Sequence, residues 1–302
     1  MVETQARLHA ALQETHPRTS DPLNTLAKNG FIAMETIGNG AFAIVKKARW
    51  TKLNKAVAIK IMSKTQLSDN IVQKYVTREL ELVRTLRHEH IIHFYEIIET
   101  NMRFYIVMEY AENGSLMQLV RDKEVTLTEA RVRRYCWQLV DAIHYLHAHF
   151  IAHRDIKLEN IVLDKKDRVK LIDFGFSCRT RQEGNDQPTL LRPYLAESCC
   201  GSYAYASPEL LCLKKYDPIP ADIWATGVVI YTLLYRLLPF SSNNDAKIMR
   251  EIIGRGVHFH SKVTVTDEAK ELLKQIFVPV ALRIPVEIVK QSLWFHMELA
   301  EE

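Results

Sequence analysis

Apolar residues alternate with polar ones through the first third of the chain, and recur at helical spacing through most of the rest. Between Phe31 and Tyr110 the runs FIAMETIG, AIVKKARW, AVAIKIM, IIHFYEIIE and FYIVMEY are β-branched or aromatic, with polar breaks between most of them, which predicts strands. One helix interrupts them, DNIVQKYVTRELELVRTLRH, with Val76, Leu80 and Val83 on its inward face and Glu79 on that same face. After AENGS the period changes. In EARVRRYCWQLVDAIHYLHAHF the residues Val132, Cys136, Leu139, Val140, Ile143 and Leu146 form one helical stripe, and Thr126 or Thr128 can serve as N-cap. Short strands are expected around NIVLD and VKLIDF, and helices over 223–235, 246–253 and 266–277. A β-rich front therefore meets an α-rich back near residues 110–114. Residues 1–30, with Pro17, Pro22, Asn29 and Gly30 and a weak periodic patch at Leu8 to Leu12, read as an extension outside the core.

Composition adds mainly exclusions. Of 302 residues, 47% are hydrophobic and 25% charged, ordinary globular values, and a formal charge of +4 gives no basis for a nucleic-acid partner. Cys136, Cys178, Cys199, Cys200 and Cys212 are odd in number and lack zinc-like spacing, and the first residues have no apolar signal core. An intracellular, reduced, cytoplasmic setting follows as the expectation. IWATGVVIYTLLY, Ile223 to Tyr235, is shorter than the roughly 20 residues needed to cross a bilayer, so it reads as a buried helix and no membrane partner is expected.

The candidate chemistry begins at ETIGNGAFAIVKKA, where Gly38 and Gly40 fit a G-x-G-x-x-G hairpin but Ala43 holds the third glycine position. Alone, this is as consistent with a ligand-free turn as with a phosphate cradle. VAIK, Val57 to Lys60, ends an apolar strand with a cation that needs an anion. Glu79 could pair with Lys60, either for catalysis or simply for fold specificity. HRDIKLEN, His153 to Asn160, is then followed after a short hairpin by DFG, Asp173 to Gly175.

In this order these segments resemble the signatures of eukaryotic protein kinases over residues 31–296. The resemblance implies an α+β, two-lobed fold, with an N-lobe over 31–110, a C-lobe over 113–296 and a short tail at 297–302. It implies an ATP-dependent kinase acting on protein substrates. Asp155 would accept or orient the acceptor hydroxyl proton, and Asn160 and Asp173 would hold Mg2+. Lys60 would grip phosphates with Glu79 as its partner, and Lys157, typical of Ser/Thr kinases, would contact the transferring group. ATP contact extends over Ile37, Gly38, Asn39, Gly40, Ala41, Phe42, Ala43, Ile44 and Val45, with Ala58, the gatekeeper Met108, and the hinge from Glu109 to Ala111. Ala43 is also common in the testis-specific serine/threonine kinases, which DFGFS, GSYAYASPELL and DIWATGVVIYTLLYRLLPF resemble most, within the calcium/calmodulin-dependent group. Position 43 falls on a returning strand, so the alanine is expected to have negative φ.

AESCCGSYAYASPELL resembles the end of a kinase activation segment. Ser198 falls where an upstream kinase would phosphorylate it, and Arg154 would receive the phosphate. Cys200 matches a cysteine common there, and no cationic neighbour visible in the sequence argues for redox control at Cys199 or Cys200. Residues 180–197 read as a long surface loop, possible in a recognition role. Asp222 matches a residue that braces the catalytic loop, and Glu209 is expected to pair with Arg283. Ser115 stands where many relatives carry a carboxylate, leaving Glu159 and Glu112 and weakening the case for an arginine-directed preference. Two other readings, a catalytically silent scaffold and a small-molecule kinase, are opposed respectively by the retention of Lys60, Asp155, Asn160 and Asp173 and by the GSYAYASPE segment. A monomeric catalytic domain is expected.

Overall fold

The strand pattern folds as one five-stranded antiparallel sheet in the order β1-β2-β3-β5-β4. Its strands are β1 (Phe31–Asn39), β2 (Ala43–Trp50), β3 (Lys55–Ser63), β4 (Phe94–Glu99) and β5 (Arg103–Glu109). The computed structural model describes residues 22–40, 43–64, 85–181, 202–212, 215–240, 254 and 256–297. By contact, the chain divides into two units: Met1–Asp69 with Phe94–Tyr110, and Asn70–His93 with Ala111–Glu302.

In the first unit the period of two separates two faces of the sheet. Ala48, Val57, Ile59, Ile61, Tyr105 and Val107 make one apolar face, closed by Phe31 and by Leu26 of helix α1 (Pro22–Lys28). The sequence placed residues 1–30 outside the core, yet Leu26 is fully buried. Burial of such a leucine contributes about 1.5–3 kcal/mol, enough to hold a seven-residue helix that propensity alone would not. A second difference concerns IIHFYEIIE. Only Phe94–Glu99 joins the sheet, while Ile91 bridges Leu171 in the second unit. Apolarity marks both parts as buried without saying in which unit.

The second unit is mostly helical. Ser115 caps α2 (Leu116–Arg121) through a capping box with Gln118. Thr128 rather than Thr126 caps α3 (Glu129–Ala148), whose expected stripe, Val132 to Leu146, is buried. Short strands follow: β6 (Ile151–Ala152), β7 (Ile161–Leu163), β8 (Val169–Leu171) and β9 (Cys178–Arg179), pairing β7 with β8 and β6 with β9. Among the described residues, helices α4 (Pro208–Leu211), α5 (Pro218–Tyr235), α6 (Asp267–Ile276), α7 (Val286–Lys290) and α8 (Leu293–His296) follow.

Helix α5 begins five residues before the expected Ile223, because Asp217 caps it and Pro218 occupies its first turn. Its apolar length is core: no helix among the described residues is long and apolar enough to cross a membrane. A Cβ on Gly227 would approach Ile276 Cγ2 to 2.5 Å and Phe277 to 3.1 Å, so α5 and α6 pack where only glycine fits. Gly227→Ala would gain about 1 kcal/mol of helix propensity against about 1–3 kcal/mol of overpacking. A net loss of stability is expected, read as a lower urea midpoint at unchanged slope. An equal or higher midpoint would contradict the packing argument.

Arg283 and Glu209 meet as the sequence suggested, at 2.6 and 3.1 Å. The guanidinium also donates to the carbonyls of Ile276, Val278 and Pro220 and lies 5.0 Å from the Trp224 ring, which satisfies a cation buried completely.

Candidate active site

Pairing of β6 with β9 and of β7 with β8 brings HRDIKLEN and DFG together. Ile172 N donates to Asn160 O at 2.9 Å, His153 Nε2 lies 3.0 Å from Ile172 O, and the rings of His153 and Phe174 meet edge-on at 4.9 Å. Asp155 is the focus. Lys157 Nζ donates to both its carboxylate oxygens, at 2.9 and 2.8 Å, and Asn160 Nδ2 donates to Oδ2 at 2.7 Å and to the Asp155 carbonyl at 2.8 Å. Such charge-assisted bonds fix the carboxylate's direction. The amide oxygen of Asn160 is left out of this contact.

The loop is held from α5. Buried Asp222 accepts from His153 N through Oδ2 and from Arg154 N through Oδ1, both at 2.8 Å, and its Oδ2 lies 3.1 Å from His147 Nε2. Arg154 and Asp173 both have left-handed backbones, φ +68° and +63°. Each costs about 1–2 kcal/mol for a residue with a Cβ and persists where its surroundings over-determine it. Arg154 Nε donates to Tyr216 Oη at 3.3 Å and Nη1 to Phe176 O at 3.4 Å. Burial pushes the Tyr216 phenol above its ordinary value, against the pull of Arg154.

In the first unit, the register puts Val45 opposite Lys60 and Lys60 opposite Ile106, with Ala58 opposite Met108. Val45, Ala58, Lys60 and Met108 thus share the face opposite the Leu26 core. Ile44 pairs with Ile61 and falls on the core face, as does Glu109 opposite Val57. Ile37 and Asn39 are exposed on β1. Gly38 and Gly40 lack positive φ, and a Cβ there would meet Val45 at 3.5 Å or the Ala43 carbonyl at 3.4 Å, so the chain itself does not demand glycine at either. Ala43 opens β2 opposite Met62 and is absent from the positive-φ residues, as expected.

Ala41, Phe42, Glu79, Ser198, Cys199 and Cys200 lie outside the described residues, as does the 180–197 loop beyond Arg181. Among the described residues, Cys136, Cys178 and Cys212 form no disulfide, and burial pushes the Cys136 thiol far above its usual range. Ser115 is occupied as a helix cap, and Glu112 accepts from Lys165 N at 3.1 Å. Glu159 Oε2 is buried without a hydrogen-bond partner. His147 escaped the sequence reading. Its only signal was a polar residue four positions after Ile143 on the inward stripe of α3.

Residues 31–295 match the family model of the protein kinase domain. The chain is 35% identical over 289 residues to the human testis-specific serine/threonine-protein kinase 4, covering 92% of this chain and 87% of that protein. It is 36% identical over 274 residues to mouse testis-specific serine/threonine-protein kinase 3, covering 89% and 97%. Yeast carbon catabolite-derepressing protein kinase is 33% identical over 287 residues, covering 93% of this chain and 43% of that one.

Proposed function

The chain belongs to the serine/threonine protein kinase family, and from that premise we propose how its residues divide the work of moving the γ-phosphoryl group of Mg-ATP to Ser or Thr of a protein substrate. The observation that carries the assignment is Asp155, whose carboxylate is fixed by Lys157 and Asn160 on a loop clamped by Asp222. Asp155 accepts the hydroxyl proton and orients the oxygen for in-line attack. Lys157 supplies positive charge toward the transferring group.

ATP and Mg2+ supply the phosphoryl group and the neutralising charge, and the donor set suits them. The Asn160 amide oxygen and the Asp173 carboxylate are hard oxygen ligands for Mg2+. Lys60 offers a cation on the same sheet face as Val45, Ala58 and Met108. Gly38 and Gly40 keep the hairpin bare of side chains where a phosphate would approach, while Gly40 N itself closes the hairpin by donating to the Ala43 carbonyl at 2.8 Å. Of the remaining hairpin residues, Ile37, Ala41, Phe42 and Ala43 cover the nucleotide, while Asn39 and Ile44, which pair with each other on the core face, reach it only through their backbones; Glu109 and Ala111 hydrogen-bond the base through their backbones, and Glu79 steadies Lys60. The kinase domain spans 31–296.

Phosphate on Ser198, placed there by an upstream kinase, engages Arg154 and activates the enzyme. The test is labelled-phosphate transfer to a mixed protein substrate before and after phosphorylation of Ser198. Incorporation into Ser or Thr, with activation lost in Ser198→Ala, is the expected result. Equal activity of Ser198→Ala and the phosphorylated protein removes the regulatory role, and absence of transfer from folded, phosphorylated protein removes the catalytic one.

A further inference from the structure

The solvent side of α3 sets a tryptophan, Trp137, into the polar face that an amphipathic helix usually presents. Ala130, Arg133, Arg134, Trp137 and Gln138 recur at helical spacing and, with Phe295 of α8, line a concavity of about 270 Å³. That is room for one or two side chains.

Its polar groups are pre-positioned. Arg133 Nη1 donates to the carbonyls of Trp294 and Met297, and Arg134 pairs with Asp167. A guanidinium has five N–H donors, so both keep donors beyond these contacts. Lys290 Nζ lies 5.6 Å from the Trp137 ring centroid, adding a third cation at the rim. Among the described residues, no carboxylate lines the concavity. The two nearest along these contacts are committed: Asp167 to Arg131, Arg134 and Tyr135, and Asp141 to His88 and Lys290. Held arginines beside a half-buried tryptophan form the kind of patch that carries most of the energy in protein interfaces.

We propose that this face of α3 docks an acidic segment of a partner protein, one that places an apolar or aromatic side chain beside a carboxylate. The apolar group fills the space between Trp137 and Phe295, and the carboxylate takes the open guanidinium edges. Basic segments are repelled, and neutral ones gain only the apolar part.

The probe is a fluorescein-labelled peptide, Glu-Asp-Phe-Glu-Glu, titrated against the full chain by fluorescence anisotropy, with Gln-Asn-Phe-Gln-Gln as control. The acidic peptide is expected to bind at least about tenfold tighter than the amide peptide and to weaken steeply with added salt. Arg134→Gln and Trp137→Ala should each lower its affinity about tenfold, with phosphoryl transfer to a generic peptide unchanged. The Arg134 side chain is 51% exposed, so that variant keeps the fold even if Trp137→Ala does not. Equal affinity for the two peptides, or affinity untouched by Arg134→Gln, overturns the proposal. So does binding seen only after the chain is shortened behind Met297, which would assign the pocket to the chain's own acidic residues Glu298, Glu301 and Glu302.

Discussion

Asp155→Asn is expected to lower kcat about 10²- to 10⁴-fold, the usual worth of a positioned general base, while ATP affinity and melting temperature stay near those of the parent. Asparagine has nearly the same shape and keeps one oxygen to accept from Lys157 or Asn160, so the loop should hold its path. What it loses is the negative charge and the capacity to take the hydroxyl proton. Lys157 loses an anionic partner, but its side chain is 18% exposed and water can solvate it. A split between intact binding and lost turnover marks a group acting in the transition state. Steady-state kinetics with varied ATP, beside binding of a non-hydrolysable ATP analogue, measures both. Retention of activity within about tenfold, below the range of such a base, would remove Asp155 from the proton's path and leave it an anchor for Lys157. Loss of analogue binding in parallel with kcat would assign it to ground-state binding.

Much of this was legible because phosphoryl transfer needs particular residue types in short contiguous loops. Asp155, Lys157 and Asn160 lie within six positions of one another, so their spacing survives in the sequence as a motif. The strands were legible through their period of two, and that period also explains why Val45 and Ile44, adjacent in sequence, fall on opposite faces. What the sequence concealed lies in contacts between distant positions. His147 reaches Asp222 across 75 residues. Glu129 gathers Thr266 N, Thr266 Oγ1 and Trp294 Nε1 at the start of α3, though it reads as an ordinary acidic first-turn residue. Leu26 was hidden by its setting, a short helix, PLNTLAK, too brief to show a period, whose burial depends on a sheet that forms later in the chain. Asp222 is intermediate. Periodicity could not distinguish it from a helix cap, and resemblance alone connected it with the catalytic loop.

That connection yields the largest expected loss of stability. Asp222→Ala leaves the buried His153 N and the part-buried Arg154 N without acceptors and removes the hydrogen-bond partner of His147 Nε2, while His147 Nδ1 already has none. At about 1–3 kcal/mol for each of the three orphaned groups, the variant should lose about 3–9 kcal/mol, a large part of the 5–15 kcal/mol typical of a folded domain. The loss should extend to catalysis in whatever fraction stays folded. Asp222 holds the two amides that lead into the left-handed turn at Arg154, and relaxation of that turn moves the carboxylate of Asp155, next in the chain. Asp222→Asn separates the two effects. It fills the same volume but can present only one oxygen to two N–H donors, so its amide group opposes one of them. It should therefore fold with a smaller loss of stability than Asp222→Ala while still losing turnover. Urea unfolding and kcat measured on the same preparations decide the matter. Asp222→Ala within about 1 kcal/mol of the parent, no more than a single ordinary hydrogen bond, and with full kcat, would mean that the catalytic loop keeps its shape without the clamp.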